Sequence, residues 1–493
     1  MKVLQVASEC IPIIKTGGLA DVVGTLPKAL KSLDVECKVA LPLYEEVTEK
    51  YSHLLTHVYS GSLQSNGGEK QEYKVYSATL IDGDIEVYLF ENKDFLSTGK
   101  IYFEDDDPEK RQKAADRFAF FNRAVVDFTI SDKTWRPDII HCHDWHTGFI
   151  PHLLKENNVR IPTLFTIHNL AMQGISDFDV LNILGHDRHI PDSDIDWDAQ
   201  DGNIALLLQG ILGANLINTV SPTYAKEITV PEFGEGLDKV LKENSNKLYG
   251  ILNGIDYSSW NPATDAYIMY HYGKEEESVD YIREQKFKNK VALINDLGLT
   301  GNDLETLPMF GVVSRMTSQK GFQLLSQVEQ KVLENDAFTL VVLGTGDDMM
   351  EDMFKSWSKQ SQYIHYINKF DEGLAHQIYA ASDMFLIPSK FEPCGLTQMI
   401  SMKYGAVPIV HGVGGLKDTV KNNVDGFVFN EFSGMELWRS INTAVMAYQN
   451  TRHWNALIQS SMNANFSWNN SARQYQLLYE KLLGKEIEEV KGK

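Results

Sequence analysis

Short apolar runs alternate with longer helical patterns along almost the whole chain. Residues 2–8 form the first apolar run, residues 19–33 carry a helical pattern, and residues 37–42 form the second run. Parallel strands need long crossover connections, which helices usually supply, so this order indicates parallel sheets with helices on both faces. After residue 247 the same alternation starts again. We therefore predict an α/β protein built from two doubly wound units.

The positions of the apolar runs give the expected strands and domain boundaries. In the first half, strands are predicted at residues 2–8, 37–42, 72–80, 85–91, 138–142, 163–167 and 216–220. In the second half, they are predicted at residues 248–252, 308–314, 338–344, 363–367, 384–388, 407–410 and 426–429. A chain of 493 residues is too long for one ordinary hydrophobic core. We place one domain at residues 1–246, a second at 247–465, and at 466–493 a helix that packs back on the first domain and ends in a solvated tail.

The composition disfavours several kinds of partner. Lys and Arg number 46 against 67 Asp and Glu, and the formal net charge of −21 argues against nucleic acid and anionic membranes. The four cysteines are scattered, and the sequence contains neither a leader pattern nor an apolar run of ~18 residues. We therefore expect a cytoplasmic protein whose folded part begins near Met1. A few local cations and backbone amides can still bind a small anion.

The turn after the first predicted strand has the features of an anion site. It reads Lys15-Thr16-Gly17-Gly18 and lies directly before the first helical pattern. Two adjacent glycines allow backbone N–H groups to approach an anion closely, the helix dipole favours negative charge, and Lys15 adds a cation. A plain tight turn is the alternative, because a Gly-Gly pair alone is a weak signal.

A cluster of histidines follows a later strand of the first half. The chain there reads Ile140-His141-Cys142-His143-Asp144-Trp145-His146. Imidazole and thiolate groups are zinc ligands, but strand alternation puts His141 and His143 on one face and Cys142 on the other, so we disfavour a metal site. Asp144 is interpreted as a hydrogen-bond acceptor for a polyhydroxylated substrate. The acidic triplet at residues 105–107 is interpreted as a helix cap rather than a metal motif.

Turns of the second half carry further polar groups. Arg315 and Lys320 flank a strand-to-helix turn, where they can bind a diphosphate or simply pair with acidic helices. Residues 392–397 follow another strand and combine a carboxylate with amides at a helix start. Cys394 is interpreted as a small buried residue, because no neighbour reads as a base for it. His168 in the first half, taken alone, is favoured as a packed core residue.

Taken in order, these segments resemble the family of bacterial glycogen synthases and plant starch synthases. The resemblance spans nearly the whole chain and rests on residues 15–22, 143–146, 166–174, 220–225, 250–256, 314–321, 344–347, 392–398 and 414–416. It implies the GT-B fold, in which two Rossmann-like domains face each other across a cleft. It also implies a retaining enzyme that transfers glucose from ADP-glucose to the non-reducing end of an α-1,4-glucan and so elongates glycogen.

The resemblance implies a role for each matching position. Four residues would be catalytic: His168, Arg315, Lys320 and Glu392. The His168 carbonyl would stabilise oxocarbenium character, the two cations would neutralise the departing diphosphate, and Glu392 would bind the transferred glucose. The donor would also contact Lys15, Gly17, Gly18, Asp21, Asp144, Asn253, Gly344, Phe370, Cys394, Gly395, Leu396 and Thr397. Phe370 would stack on the nucleobase, although core packing is almost as strongly favoured for it.

The implied chemistry leaves some points open. No convincing carboxylate pair supports a double displacement, so we expect front-face displacement, in which a diphosphate oxygen accepts the acceptor's proton. No metal ion is expected, since cations and helix amides replace it. Three residues depart from the family pattern: Met172, Ile400 and Val413. A UDP-glucose donor or a small-sugar acceptor therefore remains an alternative, and a non-catalytic glucan-binding regulatory protein is the alternative from another class.

Overall fold

The computed structural model describes residues 1–65, 68, 70–81, 85–99, 101–102, 108–186 and 193–485. The chain forms two compact units. The first consists of Met1–Val220, Ala225–Ile251 and the carboxy-terminal segment that starts at Trp468, and the second of Ser221–Tyr224 and Leu252–Ser467. Residues 82–84 between the predicted strands at 72–80 and 85–91, the acidic triplet at 105–107 and most of the predicted tail lie outside the described residues.

The strands of the first unit form two sheets among the described residues. In chain order they are β1 (Lys2–Val6), β2 (Glu36–Pro42), β3 (Thr56–Gln64), β4 (Lys70–Ile81), β5 (Ile85–Glu91), β6 (Ile139–His143), β7 (Thr163–Ile167), β8 (Ile175–Ser176), β9 (Ile204–Ala205), β10 (Leu216–Thr219) and β11 (Leu248–Gly250). The larger sheet has the order β11-β10-β7-β6-β1-β2-β5-β4-β3, and β8 pairs with β9 separately. Neighbours in the larger sheet are parallel except β5 with β4 and β4 with β3.

Burial explains which of these strands the sequence reveals. Strands β6 and β7 are buried along their whole length, and neither contains an Asp, Glu, Lys or Arg residue. Strand β3 was not predicted, because it pairs only with β4 at one edge of the sheet and most of its residues are exposed or half-buried. An edge strand of this kind carries a mixed polar pattern that resembles a loop.

Helices connect the strands up to residue 251. They are α1 (Gly18–Lys31), α2 (Glu45–Tyr51), α3 (Pro108–Ser131), α4 (Ile150–Glu156), α5 (Asp179–Leu184), α6 (Ser193–Asp198), α7 (Leu206–Gly213), α8 (Pro222–Glu227) and α9 (Asp238–Glu243). Short 3₁₀ helices occupy Ser52–Leu54, Trp145–Thr147, Ala199–Asp201, Ser245–Lys247 and, in the second unit, Ser318–Lys320.

The second unit has a six-stranded parallel sheet among the described residues. Its strands are β12 (Met309–Val313), β13 (Thr339–Leu343), β14 (Ile364–Ile367), β15 (Met384–Ile387), β16 (Val407–His411) and β17 (Phe427–Phe429), in the order β14-β13-β12-β15-β16-β17. Its helices are α10 (Val279–Asp296), α11 (Gln323–Ser326), α12 (Glu329–Leu333), α13 (Asp348–Gln360), α14 (Glu372–Ala381), α15 (Thr397–Lys403), α16 (Gly414–Thr419), α17 (Gly434–Gln449) and α18 (Thr451–Asn463). None of the helices in the described part of the chain combines the length and apolarity needed to cross a bilayer.

The last helix, α19 (Trp468–Leu482), belongs to the first unit. It shares a hydrophobic core with α1 and β1, which contains Val3, Val22, Leu26, Leu30, Trp468, Ala472, Tyr475 and Tyr479. The apolar residues of α19 recur at helical spacing, and that spacing gives the helix one buried face.

The boundary between the units differs from the prediction. The strand assigned to residues 248–252 as the start of the second half is β11, which pairs in parallel with β10 in the first sheet. The first unit therefore continues to Ile251, and the boundary at residue 246 is wrong. The apolar pattern of a strand shows that it is buried but does not show which sheet it extends.

Candidate active site

In both large sheets the direction of winding reverses beside the first strand of the unit. Strand β1 lies between β2 and β6, and strand β12 lies between β13 and β15. Ligands of open α/β sheets bind outside the carboxyl ends of the strands at such a reversal. The candidate residues of the first unit follow β1, β6 and β7, and most of those of the second unit follow β12 and β15. Each unit therefore places its polar turns where its topology favours ligand binding.

In the first unit, a carboxylate lies at the start of α1. Glu9 is buried, and its Oε2 accepts hydrogen bonds from the amides of Thr16 and Gly17, the latter at 2.9 Å. The hydroxyl of Tyr102 donates to the other oxygen at 3.0 Å. The Gly17 amide, predicted to face a diphosphate, is therefore bound to Glu9 in this structure. Glu9 was missed because no motif singles it out, although a helix N-terminus attracts carboxylates.

The other residues of this turn leave room for a ligand. A Cβ atom on Gly18 would meet nothing within 4 Å among the described residues, so the fold of this unit does not itself require glycine there. Lys15 Nζ pairs with Asp21 Oδ1 at 2.8 Å, and the lysine side chain remains 45% exposed. An ion pair this exposed contributes little stability, and an anion can compete for the lysine.

Two histidines from neighbouring strands meet in the first unit. His143 Nδ1 lies 2.9 Å from Nε2 of His168, so the two imidazoles share one proton, and Nε2 of His143 lies 3.2 Å from Oε1 of Gln5. Burial lowers the pKa of His168 to about 3 and lowers that of His143 well below its usual value. Both rings are therefore neutral near pH 7. His168 is only partly buried, which differs from the packed core position favoured when it is taken alone.

Asp144 holds the segment that contains His168. Its Oδ1 accepts the His168 amide at 2.7 Å, and the Asn169 amide also donates to the carboxylate. Burial raises the pKa of Asp144 to about 7. Its backbone has φ 56° and ψ −177°, a conformation that strains a residue other than glycine. The carboxylate predicted to accept hydrogen bonds from a substrate therefore binds backbone amides here.

The second unit combines a cation and a carboxylate after β12 and β15. Lys320 Nζ lies 2.6 Å from Glu392 Oε2, which also accepts a hydrogen bond from Ser389 Oγ at 2.9 Å. Ser389 is itself fixed, because His411 Nδ1 donates to its carbonyl at 2.8 Å. Arg315 is exposed, and its guanidinium has no ion pair or hydrogen bond within the described part of the chain. The unit thus presents a fixed ion pair and a separate exposed cation.

A close approach of two loops brings Lys320 to Glu392. The Lys390 amide donates to the Gln319 carbonyl at 2.8 Å. Gly321 has φ 76°, and a Cβ atom there would lie 1.9 Å from the Pro388 carbonyl oxygen. Only glycine fits this position, because any side chain would push the loops apart. The glycine of this turn is therefore required by the geometry of the ion pair.

The turn before α15 offers further polar groups. The amides of Gly395, Leu396 and Thr397 have no acceptor among the described residues. Asn253 is buried, and its Oδ1 has no hydrogen-bond partner among them either, which is rare for a buried acceptor. Cys394 accepts a hydrogen bond from the Asn253 amide, and burial raises its pKa to about 12, so it is a buried thiol rather than a nucleophile.

Two further candidates have clear positions in the second unit. A Cβ atom on Gly344 would lie 1.8 Å from the Ser314 carbonyl oxygen, and its amide and carbonyl bind Ile367 and Tyr366. Glycine is needed here because two strand ends pack closely. Since its amide and its carbonyl already form hydrogen bonds, neither of these backbone groups supports the predicted contact with the donor. Phe370 is 87% exposed, which excludes core packing and leaves its ring available for stacking.

The three departures from the family pattern occupy different environments. Met172 is 46% exposed, whereas Ile400 in α15 and Val413 before α16 are buried. Within the described residues, no group of three or more His, Cys, Asp and Glu side chains could hold a metal ion. The four cysteines are buried thiols without disulfide partners.

Comparisons with known proteins agree with this arrangement. The family model described as starch synthase catalytic domain matches residues 2–243, and the model described as glycosyl transferases group 1 matches residues 301–456. A glycogen synthase of Clostridium botulinum (strain Eklund 17B / Type B) is 41% identical over 98% of this chain and 99% of the relative. The catalytic domain of starch synthase IV from Arabidopsis thaliana, bound to ADP and acarbose, is 32% identical with a TM-score of 0.86, over 98% of this chain and 99% of that one.

A more distant structure shares the fold alone. Sucrose-phosphate synthase from Thermosynechococcus elongatus is 14% identical with a TM-score of 0.60, over 98% of this chain and 99% of that one. Two doubly wound units with polar turns at their winding reversals, matched by two glycosyltransferase family models, define a glycosyltransferase of the GT-B fold. The chain belongs to the glycogen synthase family. The fold class, the enzyme class and the family resemblance predicted from the sequence are confirmed.

Proposed function

We propose that the protein elongates glycogen by transferring glucose, with retention of configuration, from ADP-glucose to the non-reducing end of an α-1,4-glucan. The observation that carries the proposal is the ion pair of Lys320 with Glu392 at the winding reversal of the second unit, together with Arg315 five residues before Lys320, whose guanidinium has no partner among the described residues. The similarity to a starch synthase that binds ADP and acarbose supports the choice of donor and acceptor.

The second unit would bind the donor through opposite charges. Arg315 and Lys320 would neutralise the diphosphate as it leaves, which stabilises the transition state by fixed charges. Among the described residues, both hydrogen bonds to the Glu392 carboxylate end on Oε2, so Oε1 is left for a sugar hydroxyl. The amides of Gly395, Leu396 and Thr397 would bind a phosphate oxygen, and Oδ1 of Asn253, which has no partner in the described part of the chain, would accept a donor hydroxyl.

The exposed ring of Phe370 would stack on the nucleobase, as an accessible aromatic face can do. Because cations and amides supply the positive charge, we propose that transfer needs no metal ion.

The first unit would contribute a neutral group to the reaction. The backbone carbonyl of His168 would stabilise positive charge at the anomeric carbon, and the neutral ring would add no repulsive cation. Front-face displacement would follow, with a diphosphate oxygen accepting the proton of the acceptor hydroxyl. Asp144 would act through the position of His168, since its carboxylate holds the His168 amide.

A transfer assay tests the proposal. The purified protein is given glycogen and either ADP-glucose or UDP-glucose, both labelled in the glucose, and incorporation into glycogen is measured. We expect incorporation from ADP-glucose that Lys320→Ala lowers about 100-fold and that Arg439→Ala, a variant of an exposed arginine of the same unit, does not change. Faster transfer from UDP-glucose would contradict the choice of donor. Absence of transfer from both, with glucan still bound in calorimetry, would instead indicate a regulatory protein.

A further inference from the structure

Behind His168 lies a buried histidine that contacts no exposed surface. His143 ends β6, Gln5 lies in the adjacent strand β1, and both are fully buried. His143 bonds to both neighbours, to His168 through Nδ1 and to Gln5 through Nε2. The three side chains thus form one hydrogen-bonded series that ends at the candidate catalytic histidine.

The direction of the series follows from the orientation of the Gln5 amide, whose Oε1 faces His143. The carbonyl oxygen of Gln5 can only accept, so the proton of His143 lies on Nε2. A neutral imidazole carries one proton, which makes Nδ1 of His143 an acceptor. His168 must then donate from Nε2, and its own Nδ1 carries a lone pair. Within the described residues, Nδ1 of His168 has no hydrogen-bond partner.

A second series keeps His143 in place without competing for His168. The His141 ring stacks against His143 with centroids 4.1 Å apart. Thr166 Oγ1 donates to Asn218 and therefore accepts from His141 Nε2, which leaves His141 Nδ1 to accept from the Tyr479 hydroxyl. Because both nitrogens of His141 are occupied, its ring cannot turn towards His168, and it blocks rotation of His143.

The glutamine is difficult to explain by stability alone. Its Nε2 is buried with no hydrogen-bond partner among the described residues beyond the weak acceptor sulfur of Cys37. An unsatisfied buried donor destabilises a fold, and an apolar side chain at this position would avoid that cost. Among the described residues, the hydrogen bond from His143 Nε2 to Gln5 Oε1 is the interaction of this amide that joins a good donor to a good acceptor.

We propose that His143 is a positioning residue, oriented by Gln5, that holds the His168 ring as its Nε2–H tautomer and keeps Nδ1 as an acceptor towards the substrate. The proposal rests on the proposed function, because it adds a hydrogen bond from a substrate hydroxyl to the ring Nδ1 of His168 to the role of the His168 backbone carbonyl. It concerns a residue that would never touch the substrate, so the expected defect is in turnover rather than in donor binding.

Kinetics of two substitutions test the role. His143→Leu removes the acceptor, and we expect kcat to fall about 100-fold with little change in the KM for the donor, since the His168 ring and the carbonyl beside it would both be misplaced relative to the substrate, and a displacement of about 1 Å has an effect of about this size. His143→Asn keeps an acceptor near the position of Nδ1 and is expected to recover most of the loss. His152→Leu, at another buried histidine of the same unit, is the matched control and should leave kcat unchanged. Equal losses in the Leu and Asn variants of His143, or no loss in either, would overturn the proposal.

The tautomer itself gives a readout that does not need activity. Protein labelled with ¹⁵N in histidine is compared by long-range ¹H–¹⁵N correlation, and the His168 signals are assigned from their loss in His168→Gln. We expect a protonated Nε2 in the wild type, and a mixture of tautomers in Gln5→Met and His143→Leu. A His168 protonated on Nδ1, or an unchanged tautomer in both variants, would overturn the proposal. If the wild type transferred no glucose, the proposed function would fail while this measurement still decided the role of His143.

Discussion

The two units place opposite kinds of chemistry at the same topological position. In the first unit, the groups after β6 and β7 are buried imidazoles that burial keeps neutral, together with Asp144, whose pKa burial raises. In the second unit, the groups after β12 and β15 are the ion pair of Lys320 with Glu392 and the exposed Arg315. The strand order determines where a site lies, whereas local burial determines whether its groups carry charge.

This difference separates the expected roles of the two units. A neutral, hydrogen-bonded site can orient a sugar without adding charge, and a charged, partly exposed site can bind and release a diphosphate. Substitutions in the second unit should therefore change the rate with little effect on folding. Changes of pH should instead act first on the stability of the first unit.

The largest effect is expected at Glu392. Glu392→Ala should lower kcat about 1,000-fold, because it removes the proposed acceptor for the transferred glucose and the partner of Lys320. The free energy of unfolding of the second unit should fall by only about 1–3 kcal/mol, the cost of leaving the buried Ser389 hydroxyl unsatisfied. Steady-state rates and thermal unfolding of the same preparations check this.

Glu392→Gln sharpens that test. The amide keeps an acceptor for Ser389 but removes the charge, so stability should be near that of the wild type while the rate remains low. A Gln variant with the wild-type rate would show that the charge is not needed. An unfolding midpoint that falls as steeply as activity would show that Glu392 is mainly structural.

A smaller loss is expected at Arg315. Because its guanidinium has no partner in the described part of the chain, Arg315→Ala should leave the unfolding midpoint unchanged. The value of kcat/KM for the donor should fall about 100-fold, since one charge-stabilising contact to the leaving group is lost. Arg315→Lys should recover part of the loss, as a point charge replaces a bidentate one. A large drop in stability would contradict the assignment of Arg315 to ligand binding.

Acid should destabilise the first unit before the second. Burial lowers the pKa of four histidines of the first unit: His141, His143, His146 and His168. They are neutral when folded but bind protons below about pH 6.5 when unfolded, so stability falls as the pH falls through that value. Three buried or half-buried carboxyls with raised pKa oppose the change in part: Asp116, Asp144 and Asp198. For each proton that the unfolded chain binds in excess of the folded one, the free energy of unfolding falls by about 1.4 kcal/mol per pH unit as the pH falls.

In the second unit the corresponding groups oppose one another in part. Burial lowers the pKa of His365 and raises that of Asp425, and these two shifts have opposite effects on stability as the pH falls. Burial also lowers the pKa of Lys286 to about 7, so the folded unit regains a proton there that the unfolded chain already holds, which lowers stability slightly as the pH falls from 7 and adds little below about pH 6. Hydrogen exchange followed by mass spectrometry from pH 7 to pH 5, corrected for the intrinsic pH dependence of exchange, reports the protection of each unit. We expect earlier loss of protection in strands β6 and β7 than in β12 and β15. Loss of protection at the same pH in both sheets would contradict the expectation that acid destabilises the first unit before the second.

A modest effect is expected at Phe370. Because its ring is almost fully exposed, Phe370→Ala should not change stability, but it should raise the KM for the donor about three- to tenfold through loss of stacking. Phe370→Tyr should behave like the wild type. Met349→Ala, at another exposed apolar residue of the unit, is the control. An unchanged KM in Phe370→Ala would remove this residue from the donor site.

No effect is expected from removal of divalent metal ions. Transfer rates measured before and after treatment with EDTA should agree, because Arg315, Lys320 and helix amides supply the positive charge in the proposed reaction. A rate that falls more than tenfold with EDTA and returns with added Mg²⁺ would show that the cations of the second unit are not sufficient.

Much of the fold could be predicted from the sequence because its parallel strands are buried on both faces. Strand β7 was predicted with its observed bounds, and β6 to within one residue. The exposed edge strand β3 and the sheet to which β11 belongs could not be predicted, because neither property depends on the apolar pattern of the strand alone.

The sequence predicted which turns form the candidate site, but it did not predict which hydrogen bonds join their side chains. The motifs placed His168 and Glu392 after strands, where the structure has them. Their partners Gln5, His143 and Ser389 could not be paired with them, since such contacts depend on the register and neighbours of strands far apart in sequence. The hydrogen bond from the Gly17 amide to Glu9 could not be predicted for the same reason.

The most direct test of the account is the initial rate of glucose incorporation from ADP-glucose into glycogen by wild-type protein and by Lys320→Ala. We predict transfer by the wild type, with the α-configuration in the new linkage. In the variant we predict that the initial rate falls about 100-fold or more while its folding remains intact. Transfer that is equally fast in folded Lys320→Ala, or a new linkage of the β-configuration, would contradict it.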